Sequence, residues 1–544
     1  MIKSSNVTRL IYFVWFGALS VVFVRGLDTL LLSLRWPLSI SLDASILRFE
    51  SWSWMQGQMP WTDILSLNLP LTHYIHMLGL VLFGADDLGF RLLDGAWLLI
   101  LASTTFLTLR SFSLPAALTG MALAFTLVAE ATPFGAFQRE TLMLPFWLLA
   151  LASSIKLQES SLPESANRAL WILGALAICA ACWIKPTSLA LGLLFIQPLK
   201  RSSLRDRIRG VSFGVCAVLI FSFMVILPLS LSGKLFPAIQ SWWSLNATYA
   251  SWEARPILPL IGDLFTLRPD KWMLPINVPI RDVGDTGHLT LFHILLLISF
   301  VWLRRDRNTI QILLFLLAGL FTYAAQRRGF QYHVYPLWHG FNLVGAIVAG
   351  DLLRRLTGMF QGEKPTVPAK LELVSIILLF FILPTSWIVR QTNSYHAYVG
   401  TGLLSKKATS RIPEFEIVGA VANRVEQLRG SNANKVIRYQ VIEDASIALG
   451  AVIRCNLRYA TRFPVDYLFF TDTPFRESFK AEFIGSLERE KPDIVVYSVG
   501  FPGEAKARRI DTFPQLKHLL ETYYDREVVK ERHGTEYYLY TLRR

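Results

Sequence analysis

Residues 43–75 read DASILRFESWSWMQGQMPWTDILSLNLPLTHYI. The stretch follows a long apolar run at about 8–32 and precedes another that begins near 90. Asp43 and Glu50 stand seven residues apart, which is two turns along one helical face. Trp52, Trp54 and Trp61 suit a helix lying in a headgroup layer. Asp43 before ASILRF can cap that helix, and Asp63 after Pro60 can serve as a turn residue. The run LTHYIHMLGLVLF at 71–83 is shorter than the roughly 20 residues a span needs. It also carries His73 and His76, so it reads as a second interfacial helix.

Outward from this loop the chain is a membrane protein. Apolar runs lie near 8–32, 90–109, 114–130, 140–155, 169–184, 187–199, 210–232, 289–303, 309–325, 337–351 and 371–388. Of 544 residues, 53% are hydrophobic and 17% charged. A soluble domain carries about 25% charged residues. The charge is unevenly placed: residues 1–388 are about 13% charged and 389–544 about 28%. The net charge of +14 is explained by basic loops between apolar runs, so nucleic acid is not an expected partner. Lys200, Arg201, Arg205, Arg207 and Arg209 form the densest cluster. Arg304, Arg305 and Arg307 form a second, and Arg354, Arg355, Lys364 and Lys370 a third. The positive-inside rule makes all three cytoplasmic. Alternation then gives eleven spans, a cytoplasmic N-terminus and an outer C-terminus. Cys179 and Cys182 form C-x-x-C inside an apolar run, where packing is the better reading than metal or redox chemistry.

The division falls between residues 1–390, embedded in the membrane, and 391–544, a small outer α/β domain. In the latter, Ser410–Leu428 reads as an amphipathic helix, and a second helix covers about 474–490. KVIRYQVI, DYLFF, DIVVYSV, EVV and EYYLYTL read as strands, with a helix near Phe513–Tyr524. Its expected role is a scaffold or an acceptor-contacting domain.

Four separated segments bring unusual polar residues to the outer face. The first holds Asp43, Glu50 and Asp63. The second, at the outer start of a span, holds Gln138, Arg139 and Glu140; an acid there is favoured by the helix dipole. The third is CWIKPTS, whose Lys185 lies between two apolar helices and needs an anionic partner. The fourth is QRRGFQYHVYP, where Arg327 and Arg328 break the positive-inside trend and Tyr332 and His333 follow. A carboxylate near cations at a water–lipid boundary fits chemistry on a lipid-linked phosphate. The acid takes a proton from an acceptor hydroxyl, and the cations stabilise the leaving phosphate. No tight ligand cluster is visible, so no cofactor is firmly implied, though a divalent metal is compatible with the chemistry.

With these residues in view, the sequence resembles the C-type glycosyltransferases of the membrane. The bacterial branch is the nearest in pattern, alongside dolichyl-phosphate-mannose protein mannosyltransferases, the lipid A aminoarabinose transferase and core galacturonosyltransferases. The resemblance covers about residues 8–390. The family commonly shows an Asp, then G-x-x-P-Y-x-D, then N-P-P-L. Here these are Asp43, then Gly57 to Asp63 with Trp61 in place of Tyr, then Asn68 to Leu71 with Leu69 in place of Pro. Many relatives have an acidic pair where this chain has Asp43-Ala44. FQRETLMLPFWLLAL is similar to the family's second outer loop, with Glu140 earlier than the usual acid. WIKPTSL and GFQYHVYP resemble its lysine turn and its Y-H-x-x-P loop.

The resemblance implies transfer of a sugar from a polyprenyl-phosphate donor on the outer leaflet of a bacterial inner membrane. The acceptor would be a glycan, a glycolipid or a protein. It implies Asp43 as base, and Lys185, Arg139, Arg327, Arg328, Tyr332 and His333 around the donor phosphate. Glu140, Glu50 and Asp63 are left to bind the acceptor or to orient the others. Two other classes remain open at this stage: a lipid or solute transporter, and a non-catalytic envelope assembly protein.

Overall fold

The computed structural model describes residues 4–35, 42–130, 137–159, 162–201, 204–251, 254–265, 291–304, 306–328, 331–360, 416–442, 447–470, 474–500, 505–530 and 536–543. The chain is mostly helical up to Phe360. α1 is Ser4–Arg35, α2 Leu42–Met55, α3 Pro70–Phe83, α4 Asp87–Leu109 and α5 Leu114–Glu130. α6 is Arg139–Lys156 and α7 Glu164–Ile184. A 3₁₀ turn at Pro186–Phe195 and the short α8 (Ile196–Arg201) come next. α9 is Leu204–Leu231, α10 Leu235–Ser251, α11 Ile257–Phe265, α12 Leu291–Leu303, α13 Arg307–Gln326 and α14 Tyr335–Phe360. Every expected apolar run within the described residues is therefore helical. The run at 371–388 and the domain boundary at 390 lie outside them. Among the described residues, five helices are long and apolar enough to cross a membrane: Thr8–Arg35, Asp87–Leu109, Glu164–Ile184, Leu204–Leu231 and Arg307–Gln326. α3, at 14 residues, spans about 21 Å at 1.5 Å per residue, short of the roughly 30 Å hydrocarbon core.

Small residues set the closest helix contacts, as expected where apolar burial does not distinguish lipid from protein. A Cβ added at Gly350 of α14 would sit 2.9 Å from the backbone nitrogen of Ala116 in α5. One added at Gly319 of α13 would meet the Leu337 backbone of α14 at 2.9 Å. At one end of the bundle Arg304 and Arg354 both bind Asp351, and Arg304 lies over the Phe112 ring. The outer-loop residues of the sequence analysis gather at the other end.

The C-terminal domain holds a five-stranded sheet ordered β2-β1-β3-β5-β4. β1 (Arg438–Ile442) pairs in parallel with β2 (Arg458–Tyr459) and with β3 (Ile494–Gly500). β5 (Glu536–Leu542) runs antiparallel to both β3 and β4 (Tyr524–Lys530). β3 is central because its apolar run has no polar side. Ile494 and Val496 enter one core, and Val495 and Tyr497 the other. The edges are blunted, one by the shortness of β2 and one by Asp525, Arg526, Glu527 and Lys530 on β4.

Helices α15 (Glu416–Arg429), α16 (Gly450–Arg454), α17 (Tyr467–Phe470), α18 (Arg476–Glu490) and α19 (Pro514–Tyr523) cover the sheet. On α15, Ile417, Val421 and Val425 are buried at four-residue spacing. DYLFF, expected as a strand, forms α17 instead. A run of four apolar residues does not distinguish the two by period, and here the Asp466 carbonyl accepts the Phe469 N–H to start a helical turn.

Because the Gly319 contact is backbone on backbone, Gly319→Ala should destabilise the bundle by about 1–3 kcal/mol. A lower Tm of the detergent-purified protein would be the reading.

Candidate functional site

The site begins with a proline. Pro186 excludes the helical conformation at the residue before it, so α7 stops at Ile184 and Lys185 turns extended at φ −150° and ψ 115°. Its ammonium group donates to the Glu140 carboxylate and to the Gln326 side-chain carbonyl. Glu140 lies in the first turn of α6 and is fully buried, as is most of Lys185. His333, in the 3₁₀ turn before α14, comes within 3.7 Å of the same carboxylate. One buried acid thus ties the ends of α6, α7, α13 and α14 together.

Asp43 stands in the first turn of α2, with Glu50 two turns on. It lies within electrostatic reach of Glu50, Lys185 and Tyr249. Arg139 acts on the same three groups and on His333. The structure therefore brings together Asp43, Glu50, Arg139, Glu140, Lys185, Arg328 and His333, from the four segments expected.

The arginine pair makes contacts within the fold. The Arg328 guanidinium lies 4.2 Å over the Tyr249 ring and donates to the Tyr249 carbonyl. Arg327 caps α13 in the left-handed conformation, φ 56°. Its Nε donates to the Arg255 carbonyl, while its own carbonyl accepts the Arg255 N–H. Arg328 thus holds the end of α10, and Arg327 the segment after it, against the site. The Tyr332 side chain lies outside the described residues.

Asp63 stands apart from this cluster. It accepts from the Met59 N–H at 2.9 Å and pairs with Lys234 at 2.6 Å, so it closes a turn and ties it to the turn between α9 and α10. Two further expectations are corrected. Trp61 is buried rather than in a headgroup layer. It adopts φ 71° and donates its indole N–H to the Asn68 carbonyl at 2.8 Å. His73 and His76 are likewise buried rather than interfacial.

Glu50 is buried and accepts from the Ser66 hydroxyl at 2.8 Å and from the Asn68 amide at 3.1 Å. His73 Nε2 lies 3.6 Å away. At 14 residues each, α2 and α3 are short of the roughly 20 residues a span needs. Burial pushes the Glu50 carboxyl up to about 8 and His73 down to about 3, so the pair is neutral at neutral pH. Tyr249, Gln326 and the Ser66–Asn68–His73 set were not expected as site residues. Their signal is tertiary, since each acts through a partner far away in sequence. Among the described residues no group of three or more His, Cys, Asp or Glu side chains is arranged to hold a metal.

No protein-family model and no curated protein matches the chain. Solved structures do. ArnT from Cupriavidus metallidurans in the apo state matches over 98% of both chains, with a TM-score of 0.54 and 14% identity. The same protein bound to undecaprenyl phosphate gives 0.53 and 15%, again over 98% of both chains. The Archaeoglobus fulgidus oligosaccharyltransferase, tethered with an acceptor peptide, gives 0.50 and 13%, over 97% of this chain and 74% of that one. The chain has their membrane fold, as the resemblance in the sequence implied.

The folded state keeps the Glu50 proton up to about pH 8, whereas an unfolded Glu loses it near 4.3. Wild type should therefore lose stability as pH rises between these values. Glu50→Gln should flatten that slope, so that Tm(variant) minus Tm(wild type) is larger at pH 8 than at pH 5.

Proposed function

We propose that this protein is an integral-membrane glycosyltransferase. It moves a sugar from a polyprenyl-phosphate donor to an envelope acceptor, which is lipid A, core saccharide, another polysaccharide or a protein. The observation that supports this reading is the shared electrostatic neighbourhood of Asp43, Arg139 and Lys185 on a fold shared with a protein solved bound to undecaprenyl phosphate.

In the proposed reaction Asp43 takes the proton of the acceptor hydroxyl. The hydroxyl oxygen then bonds to the sugar carbon while the bond from that carbon to the donor phosphate oxygen breaks. Attack opposite the leaving group inverts the carbon. The polyprenyl phosphate leaves with added negative charge, which Lys185 and Arg139 stabilise. Glu140 holds Lys185 in position and keeps it charged in a buried setting. His333 and Arg328 complete the cationic and polar rim, and Arg327 stands at its edge. Glu50 orients the helix of the base. Asp63 belongs to the turn rather than to the acceptor.

We place the protein in a bacterial inner membrane with about eleven spans and a cytoplasmic N-terminus. Residues 1–390 form the membrane part and 391–544 a periplasmic domain. This follows from the basic loops and from the polar site at the opposite end of the bundle.

In nanodiscs supplied with a panel of polyprenyl-phosphate sugars and envelope-lipid acceptors, wild type should transfer sugar. Asp43→Asn should lose two to four orders of magnitude in rate, as for removal of a general base, with an unchanged Tm. Full activity in a folded Asp43→Asn variant would remove Asp43 from the mechanism.

A further inference from the structure

Helix α2 has two faces, and they belong to different halves of the protein. Asp43 and Glu50 face the membrane half. Glu50 is held there by Ser66 and Asn68, and Arg48 binds the carbonyls at Gly84 and Asp86 before α4. A neighbouring face, with Ile46, Phe49 and Trp52, packs against the C-terminal domain. Phe49 is fully buried, with its ring 4.8 Å from that of Tyr459. It belongs to one apolar cluster with Ile64, Ile417, Tyr439 and Val452, and Ile46 and Trp52 pack against that cluster.

The contact continues beyond the helix. The Leu65 N–H donates to the Arg462 carbonyl at 2.7 Å. Leu65 and Leu245 join the second core of the same domain. Asp87 lies within electrostatic reach of both Arg48 and Arg454. The helix that carries Asp43 is only 14 residues long. An isolated helix of that length is marginal in water, so its position depends on what packs against its two faces.

We infer that the C-terminal domain is a working part of the site: it clamps the outer face of α2 and thereby sets the position of Asp43. This rests on Asp43 being the base proposed above. The domain acts as a positioning element, and Phe49 is its main point of contact. A displacement of a reacting group by about 1 Å costs on the order of 100-fold in rate. A packing change some distance from the chemistry is therefore expected to reach the catalytic step while leaving the donor site on α6, α7 and α13 in place.

The test compares full-length wild type, Phe49→Ala and Phe49→Leu in nanodiscs by amide hydrogen exchange and by transfer kinetics. In Phe49→Ala, exchange across 42–55 should rise about tenfold or more, with 139–156 unchanged. The kcat should fall by roughly 10- to 100-fold with the donor KM within about twofold. Phe49→Leu should recover most of both losses. Should Phe49→Ala fail to fold, Val452→Ala probes the same contact from the domain side and is read in the same way. Unchanged exchange over 42–55 in a folded variant would overturn the clamp. Raised exchange with an unchanged kcat would overturn its link to Asp43. If wild type transfers no sugar from any donor, the proposed function fails while the exchange result still decides the clamp.

Discussion

Lys185 and Glu140 are buried together at the end of a helix bundle, and neither is tolerable there alone. An unpaired charge in such a place costs several kcal/mol, so the two must meet. Their meeting fixes where α6 begins and where α7 ends. Gln326 adds the end of α13, and His333 the turn before α14. Pro186 makes the arrangement possible, because it stops α7 one residue before the lysine and turns the side chain across the bundle. The polar floor of the site is thus a consequence of one ion pair and one proline.

Above that floor lies a helix shared between two domains. Its polar face completes the site and its apolar face completes the core of the C-terminal sheet. Such sharing makes the membrane half and the outer half interdependent, since loosening either face leaves a short helix without support. The neutral Glu50–His73 pair fits this duty. Buried and uncharged, it binds α2 to α3 through Ser66 and Asn68 without placing another charge beside Asp43. The end of α10 and the segment after it are held by a different device, the stacking of Arg328 on Tyr249 and the two bonds between Arg327 and Arg255, one from a side chain and one from the backbone. Residues that look like phosphate ligands in the sequence therefore also serve as staples.

Much of this was legible in the chain alone. Apolar runs marked the helices, because lipid solvation acts on each segment separately. Asp43, Glu50, Arg139, Glu140, Lys185 and His333 could be singled out because charges and histidines beside apolar runs need a reason. The run DYLFF misled, since four apolar residues carry no period. Trp61 and His73 misled as well. Aromatic residues near a membrane face read as interfacial, and only packing reveals that they are buried.

The sequence by itself determined the helical membrane architecture, the small α/β domain and the set of polar residues delivered to one face. Each of these follows from local hydropathy, charge and spacing. The tertiary structure alone decided the partners: Lys185 with Glu140, Glu50 with Ser66 and Asn68, Arg328 with Tyr249, and Phe49 with Tyr459. These pairs join residues 16 to 410 positions apart. No local pattern encodes them, because each exists only where burial forces a charge, a hydrogen bond or an aromatic ring to find its complement.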